Sequence, residues 1–205
     1  MARYDELVLD RLEKLVEAVE EKSTAELVVV LAHRADPYRD VPYRAGCLLM
    51  LVVLLAMVYA PVDFSAQFLA LDLLGAFLLG WLAGRSGWAV RLLTLAGRRR
   101  RAVAAAARCA FTERGVSLTR ERTGLLLFIS WLERRVELLW DVGIENEVPL
   151  PEWNAALKAL RSAPVFESFP DSLVPAIEPL RALLDAHLPC GEDNPDEIPN
   201  RPVVQ

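Results

Sequence analysis

The sequence predicts an α/β protein, a three-layer α/β/α sandwich around a small mixed sheet, with a two-helix transmembrane hairpin inserted into it. Three observations predict it. The chain of 205 residues is 54% hydrophobic yet 25% charged, and its apolar content is concentrated: residues 45–84 carry only Asp63 and Asp72 as charges. Without that block the remainder is long enough for one globular domain with its own core, which excludes a largely disordered chain. Two short apolar runs, Leu27–Leu31 and Leu125–Ile129, have the composition of strands buried on both faces. Around them lie segments in which apolar residues recur every three or four positions, the period of helices with one buried face.

In chain order, Val8, Leu12, Leu15, Val16 and Val19 mark one face of an N-terminal helix, which a Ser23-Thr24 break ends. The first strand follows, with His33 just past its end. Residues 45–62 contain no charge and read as a membrane-spanning helix, for which about 17–25 apolar residues suffice. After a Pro61-Val62-Asp63 break, residues 64–84 give a second span interrupted only by Asp72. The charged, patterned residues 1–44 do not have the form of a signal peptide. Arg39 and Arg44 before the hairpin, and Arg85, Arg91 and Arg98 to Arg101 after it, place both flanks in the cytoplasm by the positive-inside rule. Residues 1–44 and 102–188 then form two parts of one cytoplasmic domain, joined through a basic juxtamembrane segment, 85–101. Within that segment Trp88, Arg91, Leu92 and Leu95 suit a short helix that either lies at the interface or extends the second span.

Ala102 to Phe111 is strongly helix-forming, and Gly115 is placed to stop it. Gly124 opens the strand Leu125–Ser130; a turn over Trp131–Arg134 is too short for anything but an antiparallel third strand, Arg135–Trp140. Pro151 starts a helix carrying Trp153, Ala156, Leu157 and Leu160. Another runs through Leu173, Ile177, Leu180, Leu184 and Leu188, with Pro179 kinking it or marking its true start. Residues 189–205 read as an irregular, acidic, proline-rich tail.

The chemistry is sparse. Cys47, Cys109 and Cys190 are scattered and His33 and His187 stand alone, so neither a disulfide framework nor a zinc site is expected. Motifs of serine hydrolases, P-loops, zinc peptidases and dinucleotide binders are absent. A net charge of −5 argues against nucleic acid as a partner. Asp141, Glu145 and Glu147 cluster after the third strand and are candidate ligands for calcium or magnesium, although a solvated acidic loop is the commoner arrangement. Arg120 and Arg122 are candidate anion ligands. Arg98, Arg99, Arg100 and Arg101 read as a stop-transfer signal that could also meet lipid headgroups. Asp72, costly in a bilayer, shares a helix face with Ala76, Gly80 and Gly84, a small-residue stripe suited to close helix contact, expected with a second copy or another membrane protein.

The stretch from Thr119 to Ile144, TRERTGLLLFISWLERRVELLWDVGI, with AELVVVLA before it (Ala25 to Ala32) and a Trp153 helix after it, resembles a TPM domain, and more closely the bacterial membrane branch in which a transmembrane hairpin interrupts that domain. The resemblance implies the same sandwich and an inner-membrane location. For function it implies metal binding, acid phosphatase activity or assistance to membrane complexes. Soluble members often carry Asp-Asn-Gly where this chain has Arg122-Thr123-Gly124, a departure that removes a cation-holding acid. The expected function is therefore that of a noncatalytic membrane protein that binds or assists another membrane protein. The alternative is a metal-assisted acid-phosphatase-like hydrolase using Asp141, Glu145 or Glu147. Anion regulation at Arg120 and Arg122 is a third reading.

Overall fold

The structure, a computed structural model, describes residues 6–59, 67–167, 169–190 and 198–205. The chain divides into two compact units, one formed by the residues up to Ala35 with Arg101–Gln205, the other by Asp36–Arg100.

The first unit is mixed α/β. Its sheet has the strand order β3-β2-β1-β4. Strands β1 (Glu26–Ala32) and β2 (Gly124–Ser130) run parallel, with Leu27 opposite Leu125 and Leu31 opposite Ile129. Strand β3 (Arg135–Trp140) returns antiparallel, Leu127 opposite Leu138. Because successive side chains point to opposite faces, the wholly buried β1 and β2 feed two cores. Leu27, Val29, Leu31, Leu125, Leu127 and Ile129 pack with α1 (Glu6–Glu20), α7 (Leu150–Ser162) and α8 (Leu173–His187). Val28, Val30, Leu126 and Phe128 pack on the other face with Val103, Ala107 and Ala110 of α5 (Ala96–Glu113). Gly115 follows α5 with a φ of 68°, the left-handed conformation that ends a helix at low cost with glycine. Gly124 has another reason: a Cβ there would stand 1.9 Å from the Val116 carbonyl oxygen.

Two expectations for this unit are corrected. The tail is not irregular throughout: Val203–Val204 forms β4, parallel to β1, and Pro189 bridges Ser23. The outer edge of β1 would otherwise present unpaired backbone groups; the Gln205 N–H donates to the Leu31 carbonyl at 2.8 Å, and the His33 N–H to the Gln205 carbonyl at 3.0 Å. The acidic stretch Glu192 to Glu197 lies outside the described residues. Pro179, too, does not start the last helix but sits inside α8, which begins at Leu173.

The second unit holds α2 (Val41–Tyr59), α3 (Leu69–Ala83) and α4 (Gly87–Leu93). By length and composition α2 suffices to cross a membrane, and α3 does so only when counted together with α4, from which it is bent by 101°. The described part of the second apolar helix starts at Leu69 rather than 64, so Asp72 falls in its first turn. Residues 60–66, including the expected Pro61-Val62-Asp63 break, lie outside the described residues. Because of the bend, helix α4 does not continue α3 as a straight helix.

Candidate functional site at the start of the parallel strands

Asp141 stands where β3 ends. Its N–H donates to the Gly124 carbonyl at 3.0 Å, closing the ladder beside the first residue of β2. Its Oδ1 accepts the Val142 N–H at 2.8 Å, capping the short helix α6 (Val142–Glu147). Side-chain oxygens of Asp satisfy otherwise orphaned N–H groups at helix starts. The Arg122 guanidinium takes both carboxylate oxygens, Nε donating to Oδ2 at 2.6 Å and Nη2 to Oδ1 at 3.0 Å. This fork geometry is the strong form of a charge-assisted pair. The Asp141 side chain is 8% exposed and that of Arg122 54%. Burial alone would raise the Asp141 pKa; the hydrogen bonds from Arg122 and from the Val142 N–H, with the Arg122 charge, outweigh it and hold the carboxyl below its usual range.

The loop before β2 is fitted to α6. Arg122 has a φ of 58°, and its carbonyl accepts the Gly143 N–H at 2.9 Å. A Cβ at Gly143 would lie 2.3 Å from the Glu121 carbonyl oxygen, so the Asp-x-Gly spacing supplies a cap at one position and room for a crossing backbone two residues later.

This arrangement corrects two sequence expectations. Asp141, Glu145 and Glu147 are not a ligand set: α6 separates Glu145 from Glu147 by two residues, which do not share a helix face, and both are exposed while Asp141 is buried. Among the described residues no group of three His, Cys, Asp or Glu side chains is arranged to hold a metal ion. A calcium or magnesium ion at Asp141 would have to displace both the guanidinium and the capped N–H, so the donors present do not fit it. For the same reason Arg122 is not an open anion ligand beside the exposed Arg120, because an internal carboxylate already occupies its fork.

At the opposite, carboxyl end of the parallel strands, where open α/β sheets usually place ligands, the structure reveals a carboxylate that sequence reasoning treated only as part of a turn. Glu133 is 5% exposed; it accepts the Ala35 N–H at 3.0 Å and the Ser130 hydroxyl. The signal available was the serine three residues ahead of it at a strand end. The His33 side chain, two residues before Ala35, is exposed.

In the second unit the small-residue stripe is used inside the hairpin. A Cβ on Gly80 would meet the Ala45 carbonyl oxygen at 2.6 Å, and one on Gly84 the Pro42 Cα at 2.6 Å. Ala76 is buried on the same face. The start of α2 thus lies against the end of α3, and Gly80 and Gly84 meet α2 rather than a second copy. Asp72 is exposed, outside that contact. Of the four arginines, Arg98 is turned to protein. It forks onto Asp40 at 2.6 and 2.8 Å, reaches Asp36 at 3.5 Å, and lies 5.6 Å from the Tyr38 ring centroid. The hydrogen bond from Arg98 holds the Asp40 pKa low, against its burial.

No family model matches the chain, and no curated protein matches it. Among solved structures it is similar to the NMR structure of BA42 protein from the psychrophilic bacteria Bizionia argentinensis sp. nov., with 15% sequence identity and a TM-score of 0.58 over 99% of this chain and 96% of that one. At that identity the likeness shows the fold alone.

Proposed function

We propose that the chain is a TPM-like integral protein of the bacterial inner membrane, anchored by the hairpin of α2 and α3 with both flanks in the cytoplasm, and that its α/β domain binds or assists another membrane protein. One observation carries the anchor: the hairpin turns large apolar side chains outward. Leu48, Leu51, Val52, Leu55 and Val58 of α2, and Leu71, Leu74, Leu78, Leu79 and Leu82 of α3, are all exposed, while glycine and alanine fill the contact between the helices. In water this distribution is inverted; in hydrocarbon it is the expected one, because lipid covers leucine and small residues allow close backbone packing. Asp72 in the first turn of α3 also fits, since a carboxylate near a helix end reaches water more easily than one at mid-span.

The binding reading rests on the use made of the α/β domain's polar groups: Arg122 with Asp141, and Glu133 with Ser130 and the Ala35 N–H, tie loops to strand ends.

Three native cysteines test the anchor. Cys109 and Cys190 are exposed in the α/β unit and Cys47 is exposed on α2. In inside-out vesicles an impermeant maleimide should label Cys109 and Cys190 but not Cys47, and alkaline carbonate should leave the protein in the membrane fraction. Extraction by carbonate would refute the anchor. For the binding role, photo-crosslinking in intact membranes should return a discrete membrane partner, and repeated recovery of the bare monomer would count against it.

A further inference from the structure

Strand β3 ends the sheet on the side away from β4, and no described strand pairs with its outer edge. The Asp141 N–H donates to the Gly124 carbonyl. Backbone groups alternate in direction along an antiparallel strand, so Leu139, Glu137 and Arg135 also turn theirs toward β2, while Val136, Leu138 and Trp140 turn theirs outward. Side chains alternate between the two faces as well. Val136 and Leu138 enter the core that α7 covers, which puts Arg135, Glu137 and Leu139 on the opposite face, where Leu139 packs against the other core. Yet the partner of Glu137 comes from α7: the Arg161 Nη2 donates to its Oε1 at 3.2 Å. The Arg161 side chain therefore passes across the outer edge of β3 from one face of the sheet to the other. Glu137 is 19% exposed and Arg161 52%; a pair with so solvated a cation is held weakly and can be exchanged at low cost.

We propose that the outer edge of β3 receives an extended cytoplasmic segment of the partner membrane protein as an added antiparallel strand, with a basic residue of that segment replacing Arg161 opposite Glu137. This rests on the binding reading above and adds to it the surface used and the form of the partner. Main-chain bonds to Val136, Leu138 and Trp140 supply the attachment, and Leu139, Glu137 and Arg135 select an apolar residue, a cation and an acid at alternate positions of the added strand. Charge complementarity decides against a second copy as the occupant. Two copies of β3 paired about a two-fold axis at Glu137 set the two carboxylates against each other. An axis at Leu138 puts Glu137 opposite Leu139 of the second copy, and the strand itself then offers no cation in place of Arg161. An axis at Val136 does bring Arg135 opposite Glu137, but it pairs only residues 135–137 before the turn, where Arg134 has a φ of 49°.

The test follows amide hydrogen exchange by NMR in the full chain in mild detergent. The probe is an end-blocked peptide, Thr-Val-Thr-Lys-Thr-Glu-Thr, whose valine, lysine and glutamate face Leu139, Glu137 and Arg135 in the antiparallel register. Two controls are the same peptide with lysine and glutamate exchanged, and the first peptide N-methylated at the threonines on either side of the lysine. The first peptide should slow exchange of the Val136, Leu138 and Trp140 N–H groups and leave those of Glu137 and Leu139 unchanged. The charge-exchanged peptide should bind about five-fold more weakly, the upper factor for one cross-strand pair of opposite charges, and the N-methylated one should give no protection. Glu137→Gln should reduce the preference between the two charge orders, and Arg161→Ala should tighten binding of the first peptide. No protection by the first peptide, or equal protection by its N-methylated form, would overturn the proposal. Equal binding of the two charge orders would overturn the role given to Glu137. Protection of the same three N–H groups that rises with protein concentration, without peptide, would overturn the occupant in favour of a second copy. A photo-crosslinking residue in place of Arg161 or, on α5, of Arg108 separates this proposal from the binding reading. In intact membranes, a partner captured from the Arg108 position and never from that of Arg161 would overturn the edge and leave the reading standing; no capture from either would overturn both.

Discussion

Two glycines of the same helix should respond in opposite directions to the same substitution. A Cβ added at Gly75 of α3 meets nothing within 4 Å, whereas one at Gly80 meets the Ala45 carbonyl oxygen at 2.6 Å, the Gly46 Cα at 2.9 Å and the Leu49 Cβ at 2.9 Å. To restore an ordinary contact of 3.4 Å with Ala45, α2 must retreat by about 0.8 Å, a gap that forfeits roughly a quarter to a half of each dispersion contact it opens. Gly75→Ala should therefore stabilise the hairpin by up to about 1 kcal/mol through helix propensity. Gly80→Ala has the same propensity gain but carries an overpacking cost of about 1–3 kcal/mol. The two variants should differ by about that cost, with Gly80→Ala the less stable. The assay is equilibrium unfolding in mild detergent followed by helical circular dichroism. Equal stability of the two variants would refute the α2–α3 packing described here, and a more stable Gly80→Ala would reverse it.

Three further outcomes are expected. Because the Asp141 pKa is lowered in the folded chain, the stability it contributes is present above the ordinary aspartate value and is lost as pH falls through the depressed one; hydrogen exchange over Val142–Glu147 should accelerate across that acid range, and Asp141→Asn should flatten the dependence. Glu133→Ala removes the acceptor for the Ala35 N–H and the Ser130 hydroxyl and should cost about 1–3 kcal/mol, measured by denaturant titration, with an unchanged midpoint contradicting the role given to Glu133. The twelve residues between Asp72 and Arg85 cover only about 18 Å of helix, less than a bilayer core, so a cysteine at Gln67 should be labelled from the far side of the membrane more readily in thin than in thick bilayers; no far-side labelling in either would indicate a re-entrant hairpin.

The parts of this fold legible in the sequence are those whose signal is local. Arg135–Trp140 was readable because a four-residue turn permits only an antiparallel return, and the buried face of α1 because Leu12, Leu15, Val16 and Val19 keep the helical period. Strand β4 was not readable: two valines among prolines carry no periodicity, and only the open edge of β1, some 170 residues earlier, makes them a strand. The site failed for a related reason. Sequence proximity grouped Asp141 with Glu145 and Glu147, but its actual partner is Arg122, nineteen residues back, brought there by the β2–β3 pairing. The pair of residues first assigned to opposite roles, one to a cation and one to an anion, satisfy each other. The small-residue stripe makes the same point for the hairpin. Glycines at four-residue spacing announce that a helix comes close, and Gly46 on the preceding helix already offered the matching surface: a Cβ there would lie 2.8 Å from the Phe77 ring. Short connections make the neighbouring helix in the chain the first claimant on such a face, so a stripe of this kind argues for a second copy only where the chain's own hairpin partner lacks small residues to receive it.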